Sequence, residues 1–138
     1  MNRIVLDTNI LVSSLLGSGP PAIIVDMVAE GKLIPFYNDL IICEYWNVLY
    51  RPRFGFTSFQ ISHLIDSIVR IGIAVEATYQ HLDESDDIFM PDEDDRKFYD
   101  VAKASLAFLI TGNIKHFPSE PSIISPANFI RKYHQEAI

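Results

Sequence analysis

The chain has 138 residues, of which 49% are hydrophobic, so it is long and apolar enough to form one domain, residues 1–138, around a substantial core. Its formal net charge of −7 argues against a broad basic surface for nucleic acid, although an acidic site can still meet phosphate through divalent cations. The single cysteine, Cys43, excludes an internal disulfide, and no secretory signal or membrane-spanning apolar stretch is visible, so we expect a cytoplasmic protein with no membrane partner.

The chain begins with a short aliphatic run that ends at a carboxylate. Residues 4–6 carry no alternating polar side chain, which predicts a strand buried on both faces. Asp7 would then lie at the carboxyl end of a strand, where open parallel sheets bind their ligands. Two interpretations stay open at this point: Asp7 meets a positive partner such as a metal ion, or it only caps the helix that begins near Ile10.

Helical and extended patterns then follow in turn. The spacing of apolar residues predicts helices over residues 10–16 and 22–30, and residues 33–37 are typical of a second strand. The glycine-containing turn at residues 17–19 does not follow a strand, so it lacks the context of a phosphate-binding loop. The opening third of the chain therefore predicts the order β-α-α-β.

A third helix, predicted over residues 40–50, carries an acid near its apolar face. Apolar residues recur there every three or four positions, and Glu44 lies near the edge of that stripe. A carboxylate in such a place is costly without a partner. Either Glu44 belongs to an acidic site, or it leans to solvent or pairs with Arg51 or Arg53.

The middle of the chain contains a strong helix-start signal. Thr57 and Gln60 form the capping-box pattern, which predicts a helix that runs to about residue 70 or 71. Residues 73–77 are typical of a third strand. The acidic stretch at residues 79–91 is typical of a solvated loop.

A second acidic stretch opens the last part of the chain. Residues 92–95 are four consecutive acids at the start of a predicted helix, which is more than the helix dipole or a cap requires. That helix leads to a strand over residues 108–111, followed by Gly112 and Asn113, so the opening pattern of an apolar strand with polar residues after it recurs. A short strand at 123–124 and a closing helix over 127–134 complete the predicted elements.

Alternating strands and helices predict an α/β domain with a mainly parallel sheet. The polar residues that follow its strands should gather at one edge, where Asp7, Asp94 or Asp95, and Asn113 would meet Glu44 from the third helix. Carboxylates without matching cations, and without a His/Cys cluster, favour a hard ion such as Mg²⁺ or Mn²⁺. Sites of this kind serve phosphate chemistry.

The residues in this order resemble the PIN domain. The motifs that carry the resemblance are Asp7-Thr8-Asn9, a lone Glu44, Asp95-x-x-Phe98-x-x-x-Ala102 and Leu109-Ile110-Thr111-Gly112-Asn113. More closely, the chain resembles bacterial PIN-family toxins of toxin–antitoxin systems, related to the VapC group. The resemblance implies a three-layer α/β/α fold with a five-stranded, mainly parallel sheet, and Mg²⁺- or Mn²⁺-dependent ribonuclease activity.

Carried over by position, the resemblance implies an acidic site of Asp7, Glu44 and Asp95. Thr8, Asn9 and Thr111 would be its polar support. Many members of the family carry a further Asp at or just after the fourth strand, where this chain has Asn113 and His116 as candidates. Asn113 is then a fourth metal ligand, weaker than a carboxylate, and whether one or two ions bind stays open. Asp92 or Asp94 could compensate for the missing acid.

The resulting prediction is a metal-dependent hydrolase of RNA phosphodiesters. By the chemistry of the family, its products would carry 5′-phosphate and 3′-hydroxyl ends, and its partners would be a small antitoxin and a second copy in a homodimer. The cations best placed by sequence to follow an RNA backbone are Arg51, Arg53, Arg96, Lys97, Lys103 and Lys115.

Two alternatives come from other functional classes. One is a PIN fold that has lost activity and serves as a binding module for RNA or protein, which Asn113 would favour. The other is a phosphoryl-transfer domain of the haloacid-dehalogenase or response-regulator type, with Asp7 as nucleophile. The first type requires a second acid where this chain has Asn9, and the second requires a Lys after the last strand, where Ser125 and Pro126 stand.

Overall fold

The computed structural model describes residues 1–76 and 89–136. The loop predicted over residues 79–91 lies outside this part of the chain except for its last three residues. In chain order, the helices and strands are β1 (Arg3–Leu6), α1 (Thr8–Leu16), α2 (Pro20–Ala29), β2 (Ile34–Tyr37), α3 (Asp39–Leu49), α4 (Ser58–Ile71), β3 (Ile73–Ala74), α5 (Arg96–Ser105), β4 (Phe108–Ile110), β5 (Ile123–Ile124) and α6 (Pro126–Glu136).

The five strands form one sheet in the order β3-β2-β1-β4-β5, and each pair of neighbours is parallel. β1 is the central strand, and its residues Ile4, Val5 and Leu6 are fully buried, as expected for a strand covered on both faces. The α/β prediction is therefore confirmed, with a sheet that is wholly rather than mainly parallel.

Helices cover both faces of this sheet. The chain moves from β1 to β3 in one direction and returns from β3 to β4 in the other, so right-handed crossovers place α5 on the face opposite to the helices between β1 and β3. α5 packs across β1, β2 and β4, whereas α2 packs against α1, α4 and α6. The result is the predicted three-layer α/β/α arrangement.

The direction of the chain reverses between β1 and β4, and such a switch point opens a crevice at the carboxyl ends of the two strands. Leu6 pairs with Ile110 there, so the residues that follow the two strands, Asp7 and Thr111, are neighbours. The order also differs from the 2-1-3-4-5 order of flavodoxin-like folds, to which response regulators belong. The response-regulator alternative is therefore wrong.

Most predicted boundaries lie close to the observed ones, and the differences have local causes. α1 begins at Thr8 rather than Ile10, because Asp7 already has the extended backbone of a cap residue. β3 ends at Ala74, although Val75 N–H still donates to Tyr37 O at 2.7 Å. The acidic run forms a 3₁₀ turn over Glu93–Asp95, and the α-helix begins only at Arg96.

The starts of α3 and α4 are set by helix caps that the sequence encodes, and the end of α4 is set by a glycine. The Thr57–Gln60 capping box is present with both of its hydrogen bonds, and Asn38 caps α3 by accepting from Ile41 N at 2.9 Å. A Cβ on Gly72 would lie 2.3 Å from the carbonyl oxygen of Pro35, so only glycine lets α4 turn this closely against β2.

In the described ranges, no single helix is long and apolar enough to cross a bilayer, and only α1 with α2, bent by 101° from each other, reach that length and composition as a pair.

Candidate active site

Asp7 lies at the end of β1 and is 5% exposed. Its backbone has the conformation of a helix cap, but its side chain makes no capping hydrogen bond to α1. Its Oδ2 accepts a hydrogen bond from Thr111 Oγ1 at 2.7 Å, and its backbone N–H donates to Ile110 O at 3.0 Å. The carboxylate of Asp7 therefore accepts a hydrogen bond across the crevice between β1 and β4 and does not cap α1.

Thr111 fixes the direction of this contact. Its hydroxyl accepts a hydrogen bond from the backbone N–H of Asn113 at 2.9 Å, which leaves its own proton for Asp7. Thr111 is fully buried, so this hydroxyl is shielded from competing water. The residues that follow β4 thus orient the carboxylate that follows β1.

Glu44 comes to the same place from α3. Its Oε1 lies 2.7 Å from Lys97 Nζ, and its Oε2 accepts a hydrogen bond from Thr8 Oγ1. The interpretation that Glu44 pairs with Arg51 or Arg53 is not what the structure shows, because Lys97 holds that position. Glu44 is half-buried and is directed toward the N-terminus of α1, next to Asp7.

Asp95 ends the 3₁₀ turn before α5. Its Oδ2 lies 3.4 Å from Nδ1 of His116, yet this oxygen is buried and makes no hydrogen bond with the described residues. Asp94, the alternative that the sequence left open, is exposed, and its carbonyl oxygen accepts a hydrogen bond from Lys97. The structure therefore brings Asp95, and not Asp94, toward Asp7.

The acids influence one another's ionisation. Burial, with added repulsion from Asp95 and Glu44, raises the pKa of Asp7 to about 6, against the hydrogen bond from Thr111 that lowers it. Burial first, and then the charge of Asp92, raises the pKa of Asp95, although His116 acts in the opposite direction. Burial, together with neighbouring acids, therefore makes the charged forms of Asp7 and Asp95 less favourable.

Tyr45 connects α3 to the end of β1, next to Asp7. It is fully buried, and its hydroxyl donates to Leu6 O at 2.6 Å, the last carbonyl of β1 before Asp7. Burial raises the pKa of Tyr45 well above its ordinary value, and the charges of Asp7 and Glu44 add to this. The phenol therefore stays neutral and serves as a hydrogen-bond donor that ties α3 to β1.

A cavity of about 190 Å³ collects the predicted site residues Asp7, Glu44, Asp95 and Asn113, together with Asp92 and His116. A wider groove of about 830 Å³ adjoins it, shares Glu44, Asp92 and Asp95, and runs between α3 and the start of α5. The small cavity is thus an acidic recess that lies beside the wider groove.

Sequence reasoning missed the role of Lys97 as the partner of Glu44. The two residues are on different helices, so no local spacing in the sequence indicates their contact. The one available signal was that Lys97 follows Asp95 by two residues, which places it near the acids. Asp92 lines the same cavity as Asn113, the position where the resemblance implies a further acid, and the sequence offered Asp92 only as one of two compensating acids.

The donor set suits a hard divalent cation. The acidic side chains that line the cavity offer carboxylate oxygens, Asn113 adds an amide oxygen, and Asp95 Oδ2 is a buried acceptor without a hydrogen bond among the described residues. As the side chains stand, no group of three His, Cys, Asp or Glu residues in the described part is arranged to hold an ion. Lys97 supplies the positive charge at Glu44 instead.

A comparison with protein-family models matches residues 3–115 to the model described as the PIN domain. The matched range covers most of the chain, from β1 to the turn after β4, and includes Asp7, Glu44, Asp95 and Asn113. Searches of curated proteins and of solved structures find no significant match.

Proposed function

The chain belongs to the PIN-domain family, whose members are generally nucleases that use divalent metal ions, and from this we propose that it is a Mg²⁺- or Mn²⁺-dependent endoribonuclease. The observation that carries the proposal is the convergence of three acids on one small cavity: Asp7 directly after β1, Glu44 on α3 and Asp95 directly before α5. Their mutual repulsion is unfavourable in the protein alone, and a divalent cation among them would offset it.

Each residue then has a defined part in the hydrolysis. Asp7, Glu44 and Asp95 would hold the ion, Asn113 would be a neutral fourth donor, and Thr111 keeps Asp7 oriented by its hydrogen bond. An ion of this class supplies a Lewis acid for a phosphate oxygen and lowers the pKa of a coordinated water. The oxygen of a water molecule would add to phosphorus as the bond between phosphorus and the 3′ oxygen breaks, and that oxygen would take up the proton that the water loses, which leaves 5′-phosphate and 3′-hydroxyl ends.

The test is cleavage of single-stranded RNA by the purified chain, with Mg²⁺, with Mn²⁺ and with a chelator. We expect cleavage that requires a divalent ion and is reduced at least about a hundredfold by Asp7→Asn or Asp95→Asn, because each removes a charged ligand. Asp94→Asn is the matched control, since its carboxylate is next in sequence but does not line the small cavity. Calorimetric titration with Mn²⁺ decides between one and two ions.

Two outcomes would contradict the proposal. If Asp94→Asn loses activity and Asp95→Asn keeps it, the assignment of the acids is wrong. If the wild-type chain cleaves no RNA with either ion and binds neither, the alternative of an inactive PIN-fold binding module holds instead.

We also infer a toxin role from the resemblance to PIN-family toxins. Expression of the wild-type chain would then arrest bacterial growth, and Asp7→Asn would relieve the arrest, as would co-expression of the protein encoded by the neighbouring reading frame. Light scattering on the purified chain tests the proposed homodimer. Normal growth on expression of a catalytically active chain would contradict the toxin role without affecting the nuclease.

A further inference from the structure

We propose that Arg51 and Arg53 bind the phosphates that flank the scissile bond of a single-stranded RNA; this inference rests on the proposed nuclease function. Both arginines line the small cavity that contains Asp7 and Asp95. Arg51 also lines the wider groove, so it lies where the small cavity meets that groove. An RNA strand that follows the groove to the acids therefore passes these two side chains.

The electrostatics of the site require such cations. The cavity is lined by the carboxylates of Asp7, Glu44, Asp92 and Asp95, and the chain as a whole has a net charge of −7. One divalent ion can offset part of this charge at the cleaved phosphate, but the neighbouring phosphates of the same strand still meet a repulsive surface. Free positive side chains at the mouth of the cavity would reduce that repulsion.

The structure separates free cations from paired ones. Three of the candidate cations form ion pairs at 2.7 Å: Arg96 with Glu93, Lys97 with Glu44 and Lys103 with Glu120. Lys115 does not line either cavity. Arg51 and Arg53 are exposed and form no ion pair within the part of the chain that the structure describes, so their guanidinium groups are available to a phosphate.

The two arginines lie on a tight turn of the backbone that follows α3. Pro52 stops α3 from continuing and begins a second 3₁₀ turn, Pro52–Phe54, in which Phe54 N–H donates to Arg51 O at 3.1 Å. Gly55 then has φ 68°, a left-handed conformation that glycine adopts without strain. The turn thus fixes the arginines at one end of α3, while Glu44 projects from the middle of the same helix.

Arg53 is further ordered by an aromatic ring. Its guanidinium carbon lies 4.9 Å from the ring centre of Phe54, which is itself stacked on Phe56 at 5.5 Å. A guanidinium held in this way loses less side-chain entropy on binding and can donate two hydrogen bonds to one phosphate. Single-stranded nucleic acid is the ligand that combines exposed phosphates with bases able to stack beside such rings.

The test measures RNA binding without catalysis. A fluorescent, unstructured oligoribonucleotide is titrated with the Asp7→Asn chain at several KCl concentrations in the presence of a chelator. Each phosphate contact contributes about 0.7 to the slope of log affinity against log salt concentration. We expect Arg51→Ala and Arg53→Ala each to reduce the slope by about 0.7, and the double variant by about 1.4.

Two further variants separate the phosphate contact from other effects. Arg70→Ala removes an exposed arginine from the last turn of α4, outside both cavities, and should leave affinity and slope unchanged. Arg53→Lys keeps the charge but loses the paired hydrogen bonds, so affinity should fall while the slope is retained. Thermal unfolding of every variant should match that of the parent.

The outcomes distinguish this inference from the nuclease proposal. If the double variant binds RNA with the parent's slope, the inference is wrong even where the wild-type chain cleaves RNA. If the slope depends on the arginines but the wild-type chain cleaves nothing with Mg²⁺ or Mn²⁺, the phosphate contact stands and the nuclease proposal fails.

Discussion

At the scale of single residues, the ionisation of Asp7 is set by opposing contacts. Burial and nearby acids raise its pKa to about 6, and the hydroxyl of Thr111 at 2.7 Å is the main influence that lowers it. Thr111→Val keeps the shape of the side chain but removes this donor, so we expect the pKa of Asp7 to rise further above its wild-type value. A carboxyl NMR titration of the metal-free protein measures it. Thr111→Ser, which keeps the donor, is the control, and an unchanged pKa in the valine variant would contradict the proposed role of the hydroxyl.

Asp7 also makes the stability of the metal-free protein depend on pH. Its pKa is about 6 in the folded chain against 3.8 for an ordinary Asp, so between those values the folded state keeps a proton that the unfolded state has lost. The free energy of unfolding therefore falls as pH rises through this window and stays lower above it. We expect Asp7→Asn to be more stable than the wild type above pH 6, by up to about 3 kcal/mol, with the difference shrinking toward pH 4.

Urea unfolding of both chains in chelator across this pH range checks the prediction. The wild-type curve should slope downward from pH 4 to pH 6 relative to the Asp7→Asn variant, whose side chain at this position cannot ionise. A difference in stability that is the same at every pH would show that ionisation of this carboxylate does not cost the folded state free energy.

At the scale of elements, the C-terminus of α5 carries a strained residue. Leu106 ends this helix with φ 53° and ψ 45°, a left-handed conformation that a leucine side chain disfavours, and it is 85% exposed. Since little packing is lost there, we expect Leu106→Gly to raise the free energy of unfolding by about 1 kcal/mol. Urea unfolding measures the change. Leu106→Ala keeps the strained backbone and should gain nothing, so an equal gain in both variants would point to another cause.

Elements were predictable where their determinants are local. The Thr57–Gln60 box acts within one helical turn, and the aliphatic run before Asp7 is specific enough to identify a buried strand. The end of β3 depends instead on its pairing with β2. That contact joins two elements that are distant in the chain, so it leaves no periodic signal in the sequence.

The candidate site was predictable in position but not in its pairings. Carboxyl ends of parallel strands share one edge, so Asp7 and Asn113 were expected to meet, and the structure places both at one cavity. The Glu44–Lys97 pair joins residues far apart in the chain, and its geometry depends on how α3 and α5 pack. From the sequence, the nearby partners considered for Glu44 were Arg51 and Arg53, as one alternative beside an acidic site, and the structure leaves both arginines without an ion pair within its described part.

At the scale of the whole molecule, the proposed metal ion should act as a stabilising ligand. In a chain with a net charge of −7, the proximity of several acids in one recess is unfavourable, and an ion bound only to the folded state offsets that cost. At a free Mn²⁺ concentration a hundredfold above its dissociation constant, the gain is about 2.7 kcal/mol. We therefore expect Mn²⁺ to raise the Tm of the wild-type chain at pH 7.5 by several degrees, and Mg²⁺ to act in the same direction.

The source of that stabilisation is tested with matched acid variants. Asp7→Asn should lose most of the Mn²⁺-dependent rise in Tm, because it removes a central ligand, whereas Asp66→Asn removes an exposed carboxylate of α4 and should retain it. Differential scanning calorimetry over a range of Mn²⁺ concentrations gives the dissociation constant for each chain. An equal rise in the wild type and both variants would mean that the ion binds elsewhere on the acidic surface, since only a site away from Asp7 could leave the Asp7→Asn chain unaffected.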